Sequence, residues 1–165
     1  MTDILYSPWR LQYILAKKGK ECILCLTHDS SADDQHLILY RGTESYVIMN
    51  TFPYNNGHIM AVPYRHVGRL NDLAGNEFVD LFNTVCLCEK ILEKVYHPDG
   101  INIGMNLGRS AGAGIDQHLH VHIIPRWQGD VNFMTTVAGT RIIPEAFERT
   151  YKLLKEQFDN EKAEK

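Results

Sequence analysis

His118-Leu119-His120-Val121-His122-Ile123-Ile124-Pro125-Arg126 decides how this chain is read, because polar and apolar residues alternate from His118 to Ile123 without a break. An extended strand turns successive side chains to opposite faces, and residues two apart on one face stand about 6.6 Å from each other. His118, His120 and His122 are thereby expected on one face, with Leu119, Val121 and Ile123 on the other. The aliphatic set can pack on a helix and hold the imidazoles towards a cleft. Three imidazoles so placed suit either a metal or a negatively charged reaction centre. Imidazole is a fair nucleophile towards phosphorus and is largely neutral at cellular pH.

Working outward, the glycine-rich run Gly108 to Gly114 precedes the histidine strand. It is not a dinucleotide fingerprint, because it leads into a strand and does not open a helix. Ile101, Ile103, Met105 and Leu107 alternate with small or polar residues and predict another half-buried strand. Before it, Phe78, Leu81, Val85, Cys88, Leu92 and Val95 recur at threes and fours, which predicts a long helix from about Asp72, as N-cap, to Tyr96. Pro98 and Gly100 stop it. Cys86 and Cys88 fall within this helix and read as core or near-core. Further upstream, His36–Arg41 and Ser45–Met49 predict a hairpin. The loop Asn50 to Gly57 is dense in turn formers, and His58–Pro63 reads as a third strand. A last helix is expected from Pro144-Glu145, with Phe147, Tyr151, Leu154 and Phe158 on one side and a fraying end from Glu156. The expected fold class is α+β: a single domain over 1–165 with its core at 22–158, mainly an antiparallel sheet with one long and one C-terminal helix.

Composition sets the frame. The 165 residues are 44% hydrophobic and 22% charged, which is ordinary for a globular chain. A formal net charge of -3 gives no support to broad nucleic-acid binding. No apolar run reaches the roughly 20 residues that span a bilayer, and Met1 to Arg10 lacks the order of a secretory signal. Four cysteines, as Cys22-x-x-Cys25 and Cys86-x-Cys88, do not form a disulfide framework in a chain of this length, so a reducing cytoplasmic location is expected.

The run Gly112 to Arg126 resembles the signature of the histidine-triad (HIT) family. Val47-Ile48-Met49-Asn50 through Gly57-His58-Ile59-Met60-Ala61-Val62-Pro63 is similar to that family's loop and strand before the long helix. The likeness runs from about Cys22 to Asp130. Trp127-x-Gly129-Asp130-x-Asn132-Phe133-Met134 looks most like the branch acting on diadenosine polyphosphates, hydrolases and phosphorylases alike.

The resemblance implies that His120 attacks the α-phosphate to form a nucleotidyl-histidine, which water or phosphate then resolves. His122 would contact the phosphate oxygens, and His58 and Asn50 would sit beside the triad and the ribose. Phe52 and Pro53 would wall the base pocket, and Asn106 would donate on the phosphate side. The family often has a glutamine four residues before the first triad histidine. Here that position is Gly114, which leaves backbone N–H groups of Gly112 to Gly114, or Ser110, for the leaving-group side. Cys22-x-x-Cys25 has the spacing of half a tetrahedral zinc site. Relatives complete such a site with histidines that correspond to His66 and His118, so the resemblance implies a closed structural zinc, with His118 shared between metal and nucleotide cleft. A reduced cysteine pair packed at the N-terminus is the alternative.

No organic cofactor is implied, and a homodimer is. The expected function is cleavage of dinucleoside polyphosphates such as diadenosine tetraphosphate. A nucleoside phosphoramidase, a nucleotide-binding module with little turnover, and a hydrolase using the three histidines as zinc ligands are the competing readings.

Overall fold

The structure, a computed structural model, describes residues 22–25, 31–130, 143 and 145–163. Expectations that rest on Met1 to Arg10, on Asn132-Phe133-Met134 and on Pro144 lie outside the described residues.

Five strands form one antiparallel sheet in the order β1-β2-β3-β5-β4. They are β1 (Ile38–Arg41), β2 (Ser45–Met49), β3 (Ile59–Pro63), β4 (Gly100–Gly104) and β5 (Val121–Arg126). A short helix α1 (Asp33–His36) precedes β1, α2 (Gly75–Tyr96) joins β3 to β4, and α3 (Phe147–Ala163) follows β5. Because residues directly paired across an antiparallel sheet share a face, the register divides the sheet into two layers. Val47, Ala61 and Val121 are in register, as are Met49, Ile59 and Ile123, and all six join the core that α2 covers. Ile38, Ile48, Met60 and His122 are in register on the opposite face, where Tyr46, Val62 and Leu24 complete a second apolar cluster. β2 and β3 are buried at every position, as strands covered on both faces must be.

α2 starts later than the sequence suggests. Leu70–Asp72 is a turn of 3-10 helix, and the α-helical residues begin at Gly75 with Ala74 as N-cap. Alanine offers no side-chain oxygen, so the cap is made from inside the helix: the Ala74 N–H donates to Glu77 Oε2 at 2.7 Å. Arg65 donates to both Glu77 oxygens at 2.7 and 2.6 Å and, with the Ala74 N–H, pulls that carboxyl down to about 2. Phe78, expected on the buried seam, is 44% exposed and stacks on Phe82. Cys88 is fully buried, whereas Cys86 faces solvent.

Two other expectations need correction. β4 ends at Gly104, not Leu107, and is exposed at four of its five positions, because it is the outer strand and nothing described covers it. α3 does not fray from Glu156: it runs to Ala163, with Phe158 buried at 0%. Glu161 accepts from Lys90 of α2 at 2.5 Å, which ties the end of α3 to the long helix. Among the described residues no helix is long and apolar enough to cross a membrane.

Candidate active site

His122 is the one triad histidine inside β5; His118 ends the bend before it and His120 immediately precedes the strand. The alternation expected from sequence holds on the apolar side, where Leu119, Val121 and Ile123 all enter the α2 core. The three histidines are 1%, 7% and 9% exposed in order, so each imidazole nitrogen there needs a partner or a ligand.

Hydrogen bonds fix the tautomers. His120 Nδ1 lies 2.8 Å from the His118 carbonyl oxygen, an atom that can only accept, so Nδ1 carries the proton and Nε2 keeps its lone pair. The Tyr54 N–H donates to His58 Nδ1 at 3.0 Å, which puts the His58 proton on Nε2. His58 Nε2–H then donates to His122 Nδ1, also at 3.0 Å, and leaves His122 protonated on Nε2. One lone pair, on His120, is thus presented beside one N–H, on His122, with the two rings 4.9 Å apart and near perpendicular. Burial pushes His58 down to about 3 and His122 to about 4, with nearby imidazoles adding to both shifts. Both are neutral at pH 7 and keep these directional roles.

The strand register explains why His58 arrives here. It precedes Met60 by two residues, and Met60 pairs with His122, so strict alternation turns His58 to the His122 face. Gly104 flanks His122 from β4 and adds no side chain over it. Asn50 holds its amide Nδ2 3.3 and 3.4 Å from the two His58 ring nitrogens while its Oδ1 accepts from the Phe52 N–H. Phe52 is 43% exposed and Pro53 half-buried on the same loop. Asn106 lies two residues beyond β4, half-buried, and makes no hydrogen bond to the triad among the described residues. Gly112 takes φ +92, a conformation that favours glycine, at the end of the 3-10 turn Arg109–Ala111, and Gly114 is exposed.

Tyr54 was not singled out by sequence. Besides its N–H, its ring lies 4.7 Å from that of His58 and 5.8 Å from that of His122. A backbone donor has no signature in the residue alphabet, and Tyr54 reads only as a turn residue.

Cys22, Cys25, His66 and His118 converge so that one ligand atom from each lies within 4.8 Å of the others. Cys25 Sγ is 3.0 Å from His66 Nδ1, and His118 Nδ1 is 3.5 Å from Cys22 Sγ and 3.6 Å from Cys25 Sγ. His118 spends its Nε2 proton on the Pro63 carbonyl at 2.8 Å, which leaves Nδ1 bare and turned to the sulfurs. Two thiols and two imidazole lone pairs at these separations fit the donor set of a tetrahedral S2N2 site. A cleft of about 700 Å³ opens behind this cluster, lined by Arg65, His66, Gly68, Arg69 and Gln117 among others, and none of His58, His120 or His122 lines it.

At the start of β5 a tautomer-fixed imidazole lone pair is thus presented beside an imidazole N–H, an arrangement chemically able to combine a nucleophile with a hydrogen-bond donor. The HIT domain family model matches residues 31–129, more than half of the chain, and the chain belongs to the histidine-triad family. Its relatives include the AP-4-A phosphorylase of Mycobacterium tuberculosis, 41% identical over 163 residues that span 91% of this chain and 81% of that protein. The asymmetrical bis(5'-nucleosyl)-tetraphosphatase of Schizosaccharomyces pombe is 40% identical over 93 residues, 56% of this chain and 50% of that protein. Among solved structures, a histidine triad nucleotide-binding protein from Sulfolobus tokodaii is 27% identical with a TM-score of 0.66, covering 86% of this chain and 94% of that one.

Proposed function

We propose that this enzyme cleaves dinucleoside polyphosphates by phosphorolysis, through a nucleotidyl-histidine formed on His120. The observation that carries the mechanism is the 2.8 Å hydrogen bond from His120 Nδ1 to the His118 carbonyl, which places the proton of the neutral ring on Nδ1 and leaves Nε2 as the nucleophilic nitrogen. His120 Nε2 forms a bond to the α-phosphorus as the bond from that phosphorus to the bridging oxygen breaks. The remaining nucleoside polyphosphate leaves on that oxygen. An oxygen of inorganic phosphate then attacks the same phosphorus, the N–P bond breaks, and a nucleoside diphosphate is released. The His122 Nε2–H, with His58 behind it, donates to the phosphate oxygens as negative charge builds. Asn50 would serve the ribose and the Phe52-Pro53 loop the base, with Asn106 and the Gly112 to Gly114 backbone on the phosphate side.

Phosphorolysis is preferred to hydrolysis because the likeness to the phosphorylase spans nearly the whole chain, whereas the tetraphosphatase matches little more than half. Incubation with diadenosine tetraphosphate and chromatography of the products tests this. ADP plus ATP, formed only when inorganic phosphate is present, is the expected result. AMP plus ATP without phosphate makes the enzyme a hydrolase and sinks the proposal.

Cys22, Cys25, His66 and His118 would hold a structural zinc with no position left for substrate. Bound there, the metal would supply a cross-link between the N-terminal segment and the segment before β5 that carries His118 and His120. In protein purified without added metal, Cys22→Ser is expected to lower zinc from about one ion per chain to well under half, with a lower Tm. Equal zinc in both proteins overturns the assignment. The free thiols favour a reducing cytoplasmic setting. The open β4 edge, with exposed Asn102 and Ile103, favours a homodimer.

A further inference from the structure

The carboxylate of Asp130, at the far end of β5 from the triad, collects an unusual set of donors. Arg126 donates Nε–H to its Oδ2 at 2.6 Å and Nη2–H to its Oδ1 at 2.8 Å. The Asn55 amide Nδ2 donates to the same Oδ2 at 2.9 Å and to the Pro125 carbonyl at 3.1 Å. The side chain of Asp130 is 8% exposed and Asn55 is 5% exposed. Arg126 is itself held by Asn102 of β4 at 2.8 Å. The Arg126 side chain is 37% exposed, but the carboxylate it grips is buried, and a bidentate, charge-assisted bond shared with a buried amide fixes the geometry of that carboxylate.

What it fixes is the turn between β2 and β3. Asn55 stands between Tyr54, whose N–H donates to His58 Nδ1, and the rest of the turn. The carbonyl of Asn55 accepts from the His58 N–H at 3.3 Å. The turn is therefore fastened at both ends, to His58 by its backbone and to β5 by the Asn55 amide. Gly57 closes it with φ +70; a Cβ there would meet Tyr96 at 2.9 Å and Pro125 at 3.1 Å.

We propose that Asp130 is a positioning residue for the reaction: through Asn55 it seats the Tyr54 N–H on His58 and so fixes the tautomers of His58 and His122. If the turn drifts, His58 Nδ1 loses its 3.0 Å donor and keeps only the Asn50 amide, which lies equally near both ring nitrogens; the proton is then free to sit on either one, and His122 is no longer held as its Nε2–H form. Setting a tautomer through an outer hydrogen bond is a general means of tuning histidine. Asp130 does not touch the reacting atoms.

Two-bond 1H–15N spectra of the histidine rings report tautomers without substrate, so this arm stands even if the choice of substrate above is wrong. In the native protein His58 and His122 are expected as pure Nε2–H forms. Asp130→Ala and Asn55→Ala are each expected to convert His58 to a mixture of tautomers. Each is expected to lower kcat roughly 10-fold or more, with KM changed less than about 2-fold, since small displacements at a site cost rate more than binding. The double variant is expected to be no worse than either single one, as members of one chain of contacts are not additive. Asp130→Glu is expected to restore part of the rate. Unchanged tautomers in both variants overturn the proposal. So does an Asn55→Ala enzyme that behaves like the native one while Asp130→Ala is impaired, because Asp130 would then act only by holding β5 together.

Discussion

His120→Ala is expected to abolish turnover of diadenosine tetraphosphate, by at least about 10⁴-fold in kcat, the scale seen when a covalent nucleophile is removed. AMP affinity is expected to change less than about 5-fold, because the ring is one of several groups around the phosphate. Neither of the other triad histidines is placed to inherit the role. His122 already uses Nδ1 as an acceptor from His58, and its Nε2 carries the proton. His118 donates from Nε2 to the Pro63 carbonyl and turns Nδ1 to the cysteines. Of the three triad histidines, only His120 has a ring lone pair that no described residue occupies or faces. The variant separates enzyme from binding module, since a pure binder has no turnover to lose. Mass spectrometry of the native protein, quenched after mixing with substrate in the absence of phosphate, should show an added nucleotidyl group that His120→Ala lacks. Retention of turnover by the alanine variant would remove His120 from the mechanism.

Much of this site is written in residue parity. His118, His120 and His122 alternate with Leu119, Val121 and Ile123, and the aliphatic set lies in the α2 core as alternation requires. The four-residue cysteine and histidine cluster was legible only by likeness to relatives, because His66 and His118 are 52 positions apart and no spacing rule joins them. The helix start at Gly75 in place of Asp72 went unread because the cap is made by Glu77 and the Ala74 N–H. Tyr54, Pro63 and the His118 carbonyl were invisible for the same reason: each acts through its backbone, which every residue carries. Phe78 satisfies the helical period of the core and yet faces solvent, because periodicity marks an apolar stripe without saying how wide the covering surface is. Asp130 was noticed as part of a motif, and its link to Asn55 depends on the pairing of strands far apart in sequence.

Acidification is expected to unfold this protein earlier than its net charge suggests, with a slope that reports His58 and His122. In the unfolded chain both imidazoles take up protons near pH 6.5. In the native protein burial holds His58 down to about 3 and His122 to about 4. Between those limits the unfolded state binds more protons, so stability is full above about pH 6.5 and falls as the pH drops towards 4. Each proton is worth about 1.4 kcal/mol per pH unit, and the two groups influence each other, so the loss from pH 6.5 to pH 4 is on the order of 4 kcal/mol. That is a large share of the 5 to 15 kcal/mol typical of a domain. Urea titrations at half-unit steps measure it directly. His58→Asn isolates the imidazole share because the rest of the protein's titratable groups are unchanged in it. The variant is expected to be less stable at pH 7, having lost the donor to His122, yet to lose stability with a slope shallower by close to one proton. Parallel slopes in the two proteins would mean that His58 is no more reluctant to ionise when folded than when unfolded. The neutral His58–His122 relay would then not be how the site holds its N–H in place.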